Sequence, residues 1–283
     1  MEGRVFTHPR AARTRFLEIV AQPEETLDLG EAALVIALEE DPSFSVAAYL
    51  DLLERWAVCA RSRAGGARDS ERMIAEVNRI LFEDEGFHPS ETDWYDPRTA
   101  LLNEVLDRHE GFPLALSLVY IEVSRRAGLR AAGVSLPGRF LVKVAGPAGE
   151  ILIDPWDGGR VLTRAECQAI LDQVYGGAVM LREHHLRSCE KRQMLARLLA
   201  HLKSSYRSRG DLQAAASAAD RLLVLDENDP YELRDRAVMA MELHRYDEAI
   251  RCLERYLAAM PSAEDRARVR DEIDWLRGWT SNN

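Results

Sequence analysis

The sequence predicts an α+β protein: a mostly helical core with a small antiparallel sheet, followed by an all-α helical array. Three observations predict it. Helical periodicity dominates as far as residue 127. The alternating segment "RFLVKV" and its return "ILIDP" supply one hairpin. After about residue 188 the chain turns rich in Ala, Leu, Arg and Glu, with no strand signal. The expected division is an N-terminal helical extension over 1–25, a core domain over 26–188 and a helical domain over 189–283.

The elements follow in order. Residues 10–40 carry two helical patterns broken by "AQPEETLD", with Asp28 or Thr26 as the cap of the second. "DPSFSVAAYLDLLERWAVCARSR" starts a third helix, with Ser43 as its expected cap and Val46, Tyr49, Leu50, Leu53, Trp56 and Ala57 on one face. "RAGGARDS" is a loop, Ser70 opens the next helix, and Gly86 is its expected stop. "FHPSETDWYDPRT" is turn-rich, and "ALLNEVLDRHEG" is a helix that Gly111 is expected to end. Pro113 suits the first turn of the following helix, where a missing N–H costs nothing. That helix is apolar on most sides and should be buried. "AGL" and "AAG" punctuate its end. In the strand, Phe140, Val142 and Val144 point one way, and Arg139, Leu141 and Lys143 the other. Thr163 is the expected cap of "TRAECQAILDQV".

In the last third, "RGDLQAAASAADRLLVLDENDP" overlays "HRYDEAIRCLERYLAAMPSAED" at an offset of 34 residues. Leu212 falls on Tyr246, Ala215 on Ala249, Ala218 on Cys252, Leu222 on Tyr256 and Leu223 on Leu257. A period of 34 with small residues at fixed places is the tetratricopeptide signature. Small side chains let paired helices approach, and the Leu and Tyr positions fill the seam. About two repeats are present, with "EDRARVRDEIDWLRGW" as a capping helix.

Composition narrows the function classes. The chain has 283 residues, 47% hydrophobic and 30% charged, with a formal net charge of −10. That balance argues against a general nucleic-acid binder, whose phosphate contacts need a basic surface. No apolar run reaches the length of a membrane span. The first twenty residues contain no uninterrupted apolar segment before a cleavage site and read as mature protein. Cys59, Cys167, Cys189 and Cys252 are far apart and form no CxxC, so neither a zinc site nor a disulfide framework is expected. Free thiols in a cytoplasmic protein fit best.

"LNEVLDRHEGFPLALSLVYIEVSRRAGL", "GVSLPGRFLV" and "LIDPWDGGRVLT", followed by the repeat helices, resemble the bacterial SirB-type proteins. The resemblance spans roughly residues 25–265. It implies a papain-like, transglutaminase-like core over 26–188, with tetratricopeptide helices after it. Active transglutaminase-like enzymes place a Cys at the start of the core helix, a His on the next strand and an Asp after the following one. Aligned by motif, Pro113 takes the Cys position, which is typical of the SirB-type branch. The branch commonly reads "PGHFLV", whereas this chain has Arg139 in place of the His; Asp154 is retained.

Thiol catalysis needs a thiolate helped by a neighbouring His. Proline supplies no nucleophile, and arginine takes up no proton near neutral pH. The motif alignment therefore excludes ordinary acyl transfer, and no catalytic residue is expected at Pro113, Arg139 or Asp154. Ser117, one turn beyond Pro113, is a replacement nucleophile without a base, or a small polar residue packed in a helix. Cys167 reads as a core thiol. Glu183, His184, His185 and Cys189 offer metal-capable atoms, but adjacent His side chains on a helix diverge by about 100°. Neither metal nor cofactor is expected.

Arg139 has two readings: an ion pair with Asp154 that closes the old site, or an anion site formed with the helix N-terminus. Trp156 and Asp157, on a tight turn before Gly158 and Gly159, are either a partner contact or a lid on the sheet. The same ambiguity holds for "DWYDPR".

The expected function is a non-catalytic, regulatory or adaptor protein, leaning away from an enzyme. A protein or peptide partner is expected on the repeat helices, with neither nucleic acid nor membrane as partner. The alternatives are a hydrolase or acyltransferase with a rebuilt site acting on peptide or amide bonds, and a small-anion sensor centred on Arg139. The oligomeric state is left open.

Overall fold

The computed structural model describes residues 9–65, 69–91, 93–147 and 149–282. They form two compact units, 1–195 and 196–283.

The first unit begins with α1 (Pro9–Val20) and α2 (Leu29–Glu40). Asp28 caps α2 by accepting the N–H of Glu31 at 2.9 Å. α3 (Val46–Arg63) is capped by Ser45, not by Ser43. Ser43 lies two residues too early, and its own N–H is held by Asp41. α4 (Ser70–Asn78) runs into a π-helical turn over Arg79–Asp84, and Gly86 follows with φ 73°. α5 (Leu102–Arg108) ends at His109, not at Gly111. His109 adopts the left-handed conformation at φ 54°. This frees Gly111 to join Glu110 in a short strand, β2, parallel to β1 (His88–Pro89).

α6 (Pro113–Arg126) has Pro113 in its first turn and every residue from Leu114 to Ser124 buried. It packs on β3 (Ala131–Leu136) and β4 (Arg139–Gly146). Residues 131–133, expected as punctuation, are strand: β3 pairs with β4 from Ala131↔Val144 to Leu136↔Arg139. Small residues suit it there, because a Cβ on Gly133 would lie 2.8 Å from the Phe140 ring.

The antiparallel sheet has the order β6–β5–β4–β3–β7, with β5 at Gly149–Asp154, β6 at Arg160–Leu162 and β7 at Ser188–Cys189. Its second face packs α7 (Arg164–Tyr175) through Val134, Leu136, Leu141, Leu152, Cys167 and Leu171. Both faces are thus covered, so Leu141 is as buried as Val142 and strict alternation fails in β4. Lys143 stays on the α7 face by reaching the carbonyl of Leu186 at 3.0 Å and Glu150 at 2.9 Å.

α8 (Lys191–Ser208) spans the division between the units. In the second unit, α9 (Leu212–Leu225), α10 (Pro230–Glu242), α11 (Tyr246–Ala259) and α12 (Arg266–Asn282) follow. α9 and α11 start 34 residues apart and are each 14 residues long, as the overlay predicts. Leu212, Ala215, Ala218 and Leu222 lie on α9, and Tyr246, Ala249, Cys252 and Tyr256 on α11. Ala215 and Ala249 are fully buried. Leu233, Ala237, Leu253, Val269, Ile273 and Leu276 complete the core of α10–α12.

Candidate functional site

The start of α6, the start of β4 and the end of β5 carry the residues in question. Phe112 precedes α6 in extended conformation, and its N–H donates to the carbonyl of Thr99 at 3.0 Å. Pro113 stands in the first turn, so a nucleophile at that helix start is absent. The Pro137–Gly138 turn then sets Arg139 as the first residue of β4. Gly138 has φ 82°, and a Cβ there would lie 2.3 Å from Val174, so only glycine fits. Val142 pairs with Ile153, which brings Asp154 out of β5 beside the first residues of β4.

Arg139 and Asp154 do meet. Nε of Arg139 is 3.4 Å from Oδ2 of Asp154, but the geometry forms no hydrogen bond and that Nε is buried without an acceptor. The guanidinium lies 6.0 Å from the centre of the Trp156 ring. Asp154 Oδ1 instead accepts the Trp156 N–H at 3.0 Å, and the Asp154 carbonyl accepts the Gly159 N–H at 2.9 Å. The carboxylate therefore organises its own turn. Burial pushes the Asp154 carboxyl above the usual aspartate value, while the Arg139 charge and the Trp156 amide pull it back.

The other candidates separate. Ser117 is fully buried, and its hydroxyl donates to the carbonyl of Phe140 at 3.0 Å, a structural bond between α6 and β4. Cys167 is fully buried in the α7 core, and burial raises its thiol pKa. Thr163 and Glu166 form the capping box of its helix. His184 and His185 lie on a 3-10 turn with ring centres 4.0 Å apart. Among the described residues no group of three or more His, Cys, Asp or Glu could hold a metal ion. Trp156 is half-buried, and the exposed Asp157 pairs with Arg160 at 3.1 Å. Trp94 is exposed and meets Phe112 edge-on.

What sequence reasoning missed is the clamp behind this turn. Asn78 Nδ2 donates to the carbonyl of Gly159 at 2.8 Å, and Asn78 Oδ1 accepts the Tyr120 hydroxyl at 2.7 Å. Tyr120 is wholly buried in α6, so α4, α6 and the Asp154–Gly159 turn are tied through one amide. The one signal in the sequence was a Tyr on a largely apolar helix, which needs a polar partner when buried.

Chemically, Arg139, Asp154 and Trp156 give this corner charge and an aromatic wall, while Pro113 supplies no thiol and Arg139 takes up no proton near neutral pH. The fold is that of a transglutaminase-like domain followed by tetratricopeptide helices. The model of the transglutaminase-like superfamily matches residues 47–200, and that of the tetratricopeptide repeat matches 202–274. A UPF0162 protein of Xylella fastidiosa is 34% identical over 253 residues, covering 88% of this chain and 90% of that protein. A UPF0162 protein of Pseudomonas aeruginosa is 32% identical over 275 residues, covering 95% and 97%. Protein SirB1 of Salmonella typhimurium is 22% identical over 227 residues, covering 80% and 84%. The chain belongs to the transglutaminase-like superfamily, in the SirB-type family of bacterial proteins that pair this domain with tetratricopeptide repeats. None of the described helices is long and apolar enough to cross a membrane.

Proposed function

We propose that this protein is a non-catalytic adaptor or regulatory factor of the cytoplasm, whose core is a rigid platform and whose repeat helices hold a protein or peptide partner. The observation that carries the reading is the pair of residues at the former reaction centre. Pro113 offers no nucleophile, and Arg139 cannot act as a base. The hydroxyl of Ser117, one turn beyond Pro113, is spent on a backbone carbonyl. This weighs against a rebuilt hydrolase or acyltransferase. Tetratricopeptide helices supply the partner-binding surface by analogy of class.

The test uses the purified full chain. It should release no ammonia from glutamine peptides and incorporate no amine. It should also retain a defined protein from cells of its source, and rebind that protein once both are pure. Turnover abolished by Arg139→Ala or Asp154→Asn would overturn the reading.

A second reading is a small-anion site at Arg139. It is favoured by the guanidinium making no hydrogen bond among the described residues. Titration with phosphate or acetate should then change Trp156 fluorescence in the wild type and not in Arg139→Met.

A further inference from the structure

Helices α9, α10 and α11 enclose a concavity of about 360 Å³ lined by Asp220, Leu223, Val224, Arg236, Glu248, Arg251, Cys252 and Arg255. Its residues come at helical spacing. Asp220, Leu223 and Val224 share one face of α9, and Glu248, Arg251, Cys252 and Arg255 share one face of α11. Three guanidinium groups face two carboxylates there, in a chain whose net charge is −10.

The two carboxylates are already engaged. Arg236, only 6% exposed, donates from Nε to Asp220 at 2.6 Å and from Nη2 to Glu248 at 2.7 Å. Its Nη1 is buried and has no acceptor. Arg255 donates to the backbone carbonyl of Glu227 and has no carboxylate partner among the described residues. Arg251 is exposed and has no hydrogen bond or ion pair among them. Arg251 and Arg255 are four residues apart on one helix, where like charges repel. The lining thus carries one positive charge in excess, and Arg251 and Arg255, neither hydrogen-bonded to a carboxylate among the described residues, stand over an apolar wall in a cavity of side-chain size. An oxyanion would offset their repulsion and use the planar donor forks they present.

We propose that this pocket binds the carboxylate side chains of an acidic peptide segment of the partner. Arg251 and Arg255 hold the carboxylate, Arg236 keeps Asp220 and Glu248 engaged behind them, and Leu223 and Val224 take the methylene stem. The proposal deepens the adaptor reading and rests on it, because it names the class of partner.

The test is fluorescence anisotropy of the full chain with labelled hexaglutamate, with hexaglutamine as the uncharged control. Hexaglutamate should bind, and binding should weaken as NaCl rises from about 0.05 to 0.5 M. In Arg251→Ser/Arg255→Ser it should weaken by about tenfold or more, the loss of two charge-assisted contacts. Arg197→Ser/Arg270→Ser changes the net charge equally on exposed positions outside the pocket, and should bind as the wild type does. Thermal melting of both variants checks that the fold is kept. Equal binding of hexaglutamine, equal loss in the two double variants, or wild-type binding by Arg251→Ser/Arg255→Ser would each overturn the proposal. A cellular partner retained equally by Arg251→Ser/Arg255→Ser would sink the pocket and leave the adaptor reading standing. Absence of any partner would sink the adaptor reading instead.

Discussion

Nε of Arg139 lies 3.4 Å from Oδ2 of Asp154, and no hydrogen bond joins them. The pair interacts through charge alone, with Asp154 only 3% exposed. Removing Arg139 should therefore raise the Asp154 carboxyl further, since burial already pushes it up and Arg139 is the main force holding it down. A buried acid with a raised pKa leaves stability intact below the unfolded value of about 3.9 and costs stability as pH rises through the folded value. Arg139→Met should then be less stable than Arg139→Met/Asp154→Asn at neutral pH by about 1–3 kcal/mol. The gap should close as the pH falls. Urea unfolding across this pH range measures it, and a gap independent of pH would show that Asp154 is not the titrating group.

A histidine at position 139 should not by itself create acyl-transfer chemistry. Arg139→His places a proton acceptor near Asp154, but Pro113 still supplies no thiol, and the Ser117 hydroxyl remains committed to Phe140. Ammonia release and amine incorporation by this variant should stay at the rate of the reagents alone. Turnover would mean that the nucleophile lies elsewhere.

The thiols give an independent check on the core. Cys167 is fully buried and its pKa is raised by burial, whereas Cys59, Cys189 and Cys252 are partly exposed. In Ellman's titration of the native chain Cys167 should react last, and only with unfolding. Cys167→Ser should remove that slow phase alone.

The sequence made the repeat helices legible because small residues at a period of 34 are forced by close helix packing, which is a local property. Asp28 and Thr163 were legible as caps for the same reason. β3 was not, because "AAG" lacks the side chains that mark a strand; the glycine at 133 is dictated by the Phe140 ring on β4 and Met194 on α8. His109 was missed as a helix stop because a non-glycine residue at positive φ is uncommon. At the candidate site, motif order puts Arg139 and Asp154 side by side, and their Nε–Oδ2 distance is 3.4 Å. It could not reveal that their geometry forms no hydrogen bond, nor that Asn78, far away in sequence, holds the turn behind them.

That Asn78 clamp predicts a non-additive set. Asn78→Ala orphans the buried Tyr120 hydroxyl and the Gly159 carbonyl, and should cost about 2–3 kcal/mol. Tyr120→Phe removes one bond and should cost about 1 kcal/mol. The double variant should be no worse than Asn78→Ala, because no hydroxyl is then left unpaired. Gly159→Ala should damage the same turn by a different route: φ is 77° and its Cβ would lie 2.4 Å from Asn78 Oδ1. Denaturant midpoints at unchanged m-value test all four.

Gly30 offers a test of a buried charge. It is the second residue of α2, where alanine would ordinarily favour the helix by up to about 1 kcal/mol. Here a Cβ would lie 2.6 Å from Oε2 and 3.1 Å from Cδ of Glu122. Glu122 is buried on α6 and tied to Arg126, so it has little room to move. Burial pushes its carboxyl up while Arg126 pulls it down, so displacing it from Arg126 would add an electrostatic cost to the steric one. Gly30→Ala should therefore destabilise the protein by about 1–3 kcal/mol despite its helix propensity. The same substitution should be almost harmless in a Glu122→Ala background, where the clash is gone. It should remain costly in Glu122→Gln, which keeps the shape and loses the charge. If Glu122→Gln relieved Gly30→Ala as fully as Glu122→Ala does, charge displacement and not overlap would be the cause, and urea unfolding of the three single and two double variants separates the two.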